Sequence, residues 1–180
     1  MERYIAMLRG VNVSGQRKIK MDELRKYMGE MNFYDVQTYI QSGNIVFSSE
    51  ETKEGLPGSI ESNIKRHFGF AVPAVVKTPS DFVHVLLNCP FLKDNSKDLG
   101  KVYITFLSRE PDASCIEALA ETDYSPEDYI IDGAIIFVYA ANGYGKAKLN
   151  NNFFENKLKV SATTRNWKTV EKLAEMASPQ

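Results

Sequence analysis

Hydrophobic and polar positions alternate from Arg3 to Leu8, which predicts a strand opening the chain. A polar stretch, Gly10 to Lys20, follows and leads into a segment where Met21, Leu24, Met28 and Met31 recur at helical spacing. Asn32 sits just beyond it, where a left-handed residue commonly ends a helix. Val36, Thr38 and Ile40 then share one face of a second strand, Ser42-Gly43 supplies a turn, and Ile45-Val46-Phe47 returns as a third. Leu56, Ile60, Ile64 and Phe68 mark a second helix at four-residue steps, with Pro57 in its first turn and Gly69 at its stop. Val72 to Lys77 reads as a fourth strand. Pro73 within it forbids a central position and fits a sheet edge.

The same order can be read again from Lys101 to Thr163. Val102 to Leu107 is a strand, and Ile116, Leu119 and Ala120 lie on a short helix. Tyr129-Ile130-Ile131 and Ala134 to Val138 flank Asp132-Gly133, a hairpin signal. Leu149, Phe153 and Phe154 mark a helix, and Val160 to Thr163 a last strand. Each run has the β-α-β-β-α-β order of a ferredoxin-like sandwich. The expected fold is therefore α+β, with two ferredoxin-like subdomains built on antiparallel sheets, a connecting helix and a C-terminal helix. The expected divisions are residues 1–78, a connecting helix and linker over 79–100, and 101–180 with the C-terminal helix, in which Trp167, Val170, Leu173 and Ala174 face inward. The repeat is one of element order, not of residue identity. Such an arrangement hosts many unrelated activities and does not by itself indicate one.

The chain has 180 residues, 43% hydrophobic and 25% charged, a globular and not a disordered composition. No apolar run is long enough to cross a bilayer, and the start lacks the apolar core of a secretory signal. Cys89 and Cys115 form no motif and are expected to be reduced thiols in a cytoplasmic protein. His67 and His84 are far apart with no ligand spacing, so no metal is expected. His67 reads as an exposed helix-end residue, and His84 as packed on the connecting helix. Cys89 precedes Pro90 and offers an accessible thiol without a basic partner. Cys115 opens an amphipathic helix, where a small core residue is the simpler reading. Glu127-Asp128 and Asp22-Glu23 read as solvated turn or helix-start residues.

The segment Leu8 to Lys20 leaves a strand and enters a helix, where backbone N–H groups can hold an anion. It lacks both the Walker ending and the third glycine of a dinucleotide fingerprint, so no cofactor is expected. On spacing alone it is a long connection whose glycines permit left-handed turns. Charge adds to this. A net charge of −1 conceals +3 over Met1–Met31, +5 over Asn142–Val170 and −7 over Ser108–Asp132.

The runs Leu8-Arg9-Gly10-Val11-Asn12-Val13, Thr38 to Phe47, Thr163-Thr164-Arg165-Asn166-Trp167 and Thr169-Val170 resemble the bacterial family catalogued as domain of unknown function 1697. The resemblance spans essentially the whole chain and implies a two-part α+β fold with related halves. It brings no established activity or site. Ser14-Gly15 stands where the family usually has two glycines, and Asn88-Cys89-Pro90-Phe91 where it tends to have Asn-Pro-Phe. The polar residues of these runs serve as turn formers and caps, above all Ser42, Asn44 and Asn166. For Arg9 and Arg165 a site-lining role stands equally open, because arginine is not a turn former.

The leading expectation is a binding module for an anionic ligand, whether nucleotide, phosphorylated metabolite or RNA. Arg9, Asn12, Gly15, Arg17 and Lys18 would form one wall, and Lys146, Lys148 and Arg165 the other. Tyr103 and Tyr139 are candidates to stack on RNA bases, although no RNP signature is present. The alternatives are a small-molecule enzyme of unassigned reaction, for which no base or nucleophile can be named, and a protein-interaction or oligomeric module using an open sheet edge.

Overall fold

The computed structural model describes residues 1–178. They form two compact units, Met1–Val83 joined by the segment from Lys172, and His84–Glu171. Each contains a four-stranded antiparallel sheet with helices on it.

In the first unit, β1 (Glu2–Leu8), α1 (Met21–Gly29), β2 (Tyr34–Tyr39), β3 (Asn44–Ser49), α2 (Leu56–Phe68) and β4 (Ala74–Lys77) follow the expected order. The strands lie β2-β3-β1-β4, with β1 antiparallel to both β3 and β4. Tyr4, Ala6 and Leu8 from β1, Ile45 and Phe47 from β3, and Ala74 and Val76 from β4 point to one face. They meet Leu24 and Met28 of α1 and Leu56, Ile60 and Ile64 of α2, all fully buried. Each such side chain contributes roughly 1.5–3 kcal/mol by leaving water. Phe33 stacks on Phe47 with ring centroids 4.5 Å apart.

Local signals explain the ends. Gly69 adopts φ +80° and closes α2, and Asn32, at φ +59°, turns the chain after α1. Pro73 falls just outside β4, which begins two residues later than the hydrophobic run predicts and lies at the sheet edge. Ile40 is not a strand residue as expected. The β2–β3 ladder ends at Tyr39↔Asn44, leaving Ile40 to Gly43 as a four-residue turn with Ile40 at φ +49° and half exposed. β2 is also interrupted between Tyr34 and Gln37, where Asp35 takes φ +49°.

α3 (Pro79–Asn88) begins with a capping box. The Thr78 N–H donates to Asp81 Oδ2 at 2.8 Å and the Asp81 N–H to Thr78 Oγ1 at 3.3 Å, while Lys53 Nζ reaches Asp81 Oδ2 at 3.0 Å. The hydrophobic pattern gave the helix, and Thr78-Pro79-Ser80-Asp81 gives its start.

In the second unit, β5 (Val102–Leu107), α4 (Ala113–Ala120), β6 (Asp128–Asp132), β7 (Ile135–Tyr139), α5 (Asn151–Leu158) and β8 (Ala162–Asn166) repeat the order, with strands lying β6-β7-β5-β8. Leu107, Ile136, Val138 and Ala162 pack with Leu119 of α4 and Phe154 and Leu158 of α5. The hairpin turn is Gly133-Ala134, one residue beyond the Asp132-Gly133 expected, because Asp132 still pairs with Ile135. Glycine at the first turn position, φ +57°, suits a two-residue hairpin. Asn150 caps α5 by accepting the Phe153 N–H at 3.1 Å. The last strand starts two residues later than expected, so Arg165 lies within β8 opposite Ile104 and not in a loop. Asn166 caps α6 (Trp167–Ala177) by accepting the Thr169 N–H at 2.8 Å. The linker between α3 and β5 is ordered by two short 3₁₀ turns, Pro90–Lys93 and Leu99–Lys101, with Phe91 buried.

Candidate functional site

The polar connection between β1 and α1 is a built structure, not a slack loop. Val13 and Gln16 bridge each other around Ser14 and Gly15, which take φ +50° and +75°. The Asn12 N–H closes the base on the Arg17 carbonyl at 3.2 Å. Asn12, itself at φ +55°, then uses both its amide N–H groups and its Oδ1. Its Nδ2 donates to the Ile19 carbonyl at 2.9 Å and to the Gln41 carbonyl at 2.7 Å, and its Oδ1 accepts the Ile19 N–H at 2.9 Å. One side chain thus ties the β1–α1 connection to the β2–β3 turn.

A second close approach fixes the same end of the sheet. The Leu8 N–H donates to the Gly43 carbonyl at 2.8 Å. A Cβ on Gly43 would lie 2.7 Å from both Leu8 Cβ and Val11 Cγ2, and its φ of +77° disfavours any side chain. The neighbouring Asn44 is fully buried, donating to the Tyr39 carbonyl at 3.0 Å and Ser42 Oγ at 2.9 Å.

Between these loops and the start of α1 lies a cavity of about 620 Å³, lined by Asn12, Gly15, Lys18, Ile19, Lys20, Met21, Asp22 and Gln41. Lys18, Ile19, Lys20 and Met21 alternate: Ile19 and Met21 are buried, Lys18 and Lys20 exposed. Lys20 is extended, at φ −78° and ψ 133°. In extended backbone, residues two apart point to the same side roughly 6.6 Å from each other. That is close enough for both ammoniums to reach one anion. Lys20 lies 3.7 Å from Glu23, an exposed pair of little weight. Asp22 is engaged by Arg25, which also donates to Thr38 Oγ1. Among the described residues, Lys18 has no acidic partner.

Of the residues expected to form the first wall, Asn12, Gly15 and Lys18 therefore meet in this cavity. Arg9 and Arg17 are not among its lining residues. Arg9 is half-buried, and its N–H donates to the Pro73 carbonyl at 2.9 Å. Arg17 is exposed at φ +45°, its guanidinium folded back toward Gly10. Ile19, Lys20, Met21, Asp22 and Gln41 are additional lining residues. The alternation from Lys18 to Met21 was the sequence signal for Ile19, Lys20 and Met21.

The second expected wall belongs to the other unit. Lys146 and Lys148 are exposed on the connection from β7 to α5. That connection is held by Glu127, whose two carboxylate oxygens each accept one N–H, from Lys148 and from Leu149, both at 2.9 Å. Asp128 accepts from Lys97 Nζ at 2.9 Å. Glu127-Asp128 is thus a structural pair and not the solvated turn expected. Arg165 is 8% exposed and donates from Nη1 to Thr163 Oγ1 at 2.7 Å and to the Thr164 carbonyl at 2.9 Å.

The other candidates are largely absorbed by packing. Tyr103 stacks on Tyr144 with centroids 4.7 Å apart, and Tyr139 faces Lys97 Nζ at 4.4 Å, so both rings already have partners. Cys89 is buried, and burial pushes its thiol above the usual value, so the accessible thiol expected there is absent. Cys115 is half-buried. His67 stacks on Tyr27 at 3.8 Å and lies 3.8 Å from Glu30, so it is not a bare surface residue. His84 is exposed, not packed, with Nε2 2.6 Å from Asp132 Oδ2. Among the described residues, no cluster of three or more His, Cys, Asp or Glu could hold a metal, and no helix is long and apolar enough to cross a membrane.

The chain is similar to a solved structure of the conserved bacterial protein SP0830 from Streptococcus pneumoniae, at 28% identity and TM-score 0.77 over 98% of each chain. A search of curated proteins finds no match. A family described as "Protein of unknown function (DUF1697)" matches residues 1–137, three quarters of the sequence, across the first sheet, its cavity and most of the second sheet. The chain belongs to that family.

Proposed function

We propose that this protein is a binding module for an anionic ligand, working in the bacterial cytoplasm, with its site in the first unit. One observation carries the reading. A cavity of about 620 Å³, within the range of small-molecule sites, has the two exposed lysines Lys18 and Lys20, separated by the buried Ile19, in its lining, and among the described residues Lys18 is paired with no acid. Asn12 supplies rigidity, since both its amide N–H groups and one lone pair of its Oδ1 are held by Ile19 and Gln41. Left-handed backbone at Asn12, Ser14, Gly15, Arg17, Ile40 and Gly43 concentrates around this cavity, and such strain is held where surrounding structure over-determines it.

The test is isothermal calorimetry of the full chain with inorganic phosphate, a sugar phosphate and a short RNA. Binding should weaken at least tenfold in the Lys18→Gln/Lys20→Gln variant and fall as salt rises, because exposed charges are screened. Absence of binding at millimolar concentration for all three ligands would remove the proposal.

A further inference from the structure

We infer that β6 is a self-pairing edge, through which two copies of this chain join their second-unit sheets about a two-fold axis at Ile130. Of the four edge strands among the described residues, β4 and β8 are largely buried and β2 carries a register shift. β6 is half-exposed and pairs with β7 without a break from Asp128 to Asp132. It has no proline, bulge or lysine, the devices by which natural edges avoid pairing. The strand reads acid, apolar, apolar, apolar, acid from either end, so an antiparallel copy sets apolar on apolar throughout its middle. The two acids that the axis brings together are each held by a donor of their own chain. Asp128 accepts from Lys97 Nζ at 2.9 Å, and Asp132 Oδ2 lies 2.6 Å from His84 Nε2.

The hydrogen-bond phase sets the register. The Ala140 N–H donates to the Lys101 carbonyl at 2.9 Å and the Leu107 N–H to the Ala134 carbonyl at 3.0 Å. These bonds bracket the pairs Val102↔Tyr139 and Phe106↔Ile135, so Tyr139 and Ile135 turn their own N–H and C=O from β5 toward β6. There they bond Asp128 and Asp132, and Phe137 bonds Ile130 in between. Tyr129 and Ile131 alternate with these residues, and their N–H and C=O groups point out from the border of the sheet. Among the described residues, no hydrogen bond reaches them from that side. A second copy laid antiparallel with Ile130 on the axis sets each Tyr129 opposite Ile131 of the other copy, and each such pair exchanges two backbone hydrogen bonds. Ile130, 38% exposed, then faces itself in the closer, non-hydrogen-bonded pair, where side chains meet. The half-buried Tyr129 and Ile131 side chains, which rest on the core of the second unit, cover one another on the opposite face. An isologous contact of this kind closes at two copies.

The experiment is sedimentation equilibrium of the full chain, joined by amide hydrogen exchange read by NMR at both ends of the concentration range. Monomers should convert to dimers between about 10 μM and about 1 mM, as befits a small interface. At the upper end the Tyr129 and Ile131 amides should exchange at least about threefold more slowly than at the lower, and the Ile130 amide, already bonded to β7, should change less. Ile130→Lys sets two ammoniums on the axis and should raise the dissociation constant at least about tenfold, whereas Ile130→Val should leave it within about threefold. Amide exchange on the unaltered chain decides the matter should a variant fail to fold. A chain that stays monomeric at about 1 mM overturns the inference. So does a dimer that survives Ile130→Lys, a dimer whose Tyr129 and Ile131 amides are not slowed, or assembly that runs on past two copies.

Discussion

Replacing Asn12 by alanine removes a side chain that ties the β1–α1 connection to the β2–β3 turn. The Ile19 N–H, in a residue only 2% exposed, loses its acceptor, and an unsatisfied buried donor costs about 1–3 kcal/mol. The Ile19 carbonyl loses a donor worth about 1 kcal/mol, while the exposed Gln41 carbonyl turns to water at smaller cost. Alanine must also hold φ +55°, which asparagine tolerates better by local hydrogen bonding. The total is about 3 kcal/mol, or roughly 6–12 °C in Tm for a chain of this size. Urea unfolding measures the global loss, and amide exchange at Ile19 measures the local one. Asn12→Gly should recover about 1 kcal/mol of it, because it relieves the backbone but restores no hydrogen bond. A cost below about 1 kcal/mol with the Ile19 amide still protected would show that the clip does not hold the cavity together.

Four other outcomes are expected. Gly43→Ala should cost roughly 2–5 kcal/mol by combining left-handed strain with overpacking against Leu8 and Val11, whereas Gly15→Ala, with open space around it, should cost only about 1–2 kcal/mol; paired thermal melts compare them. Iodoacetamide should leave Cys89 unmodified in the native protein and label it after unfolding, because the site is buried and its thiol is held protonated, as peptide mapping will read. Burial pushes the Asp81 carboxyl up, but the Thr78 N–H and Lys53 more than offset this and hold it below the ordinary range. Its stabilising contribution is therefore full above the unfolded value near ~3.9 and is lost as pH falls through the lower folded value, so Asp81→Asn should flatten acid unfolding below about pH 4. Asn166→Ala should cost about 1 kcal/mol by removing the cap of α6, seen in denaturant titration.

The fold was legible because amphipathic periods change from two to nearly four at each boundary and the two runs share one order. The errors have local physical causes. Ile40 reads as a strand residue by alternation, yet the ladder stops at Tyr39↔Asn44 and the turn claims it. Arg165 was placed after a strand because Val160 looked like its start, while Lys159, at φ +56°, ends α5 and delays β8 to Ala162. The site was half legible. The polar residues of the β1–α1 connection were evident, but their division of labour was not. Asn12 turns inward to backbone groups that lie 7 and 29 residues away, and no spacing rule anticipates the second. The pair of hydrogen bonds that Glu127 accepts from the Lys148 and Leu149 backbone amides was hidden because it satisfies backbone, which carries no sequence signature.

The interruption of β2 at Asp35 bears on how these molecules behave in a crowd. An incoming strand needs a run of evenly spaced amides to zip against, and a left-handed residue in mid-edge breaks that run after a single pair. β6, an edge of the second sheet, is regular, and the carboxylates at its ends are already engaged, Asp128 by Lys97 and Asp132 by His84. The β2 border is thus defended by the shape of its own backbone, and fibre-like growth through it is disfavoured from the outset.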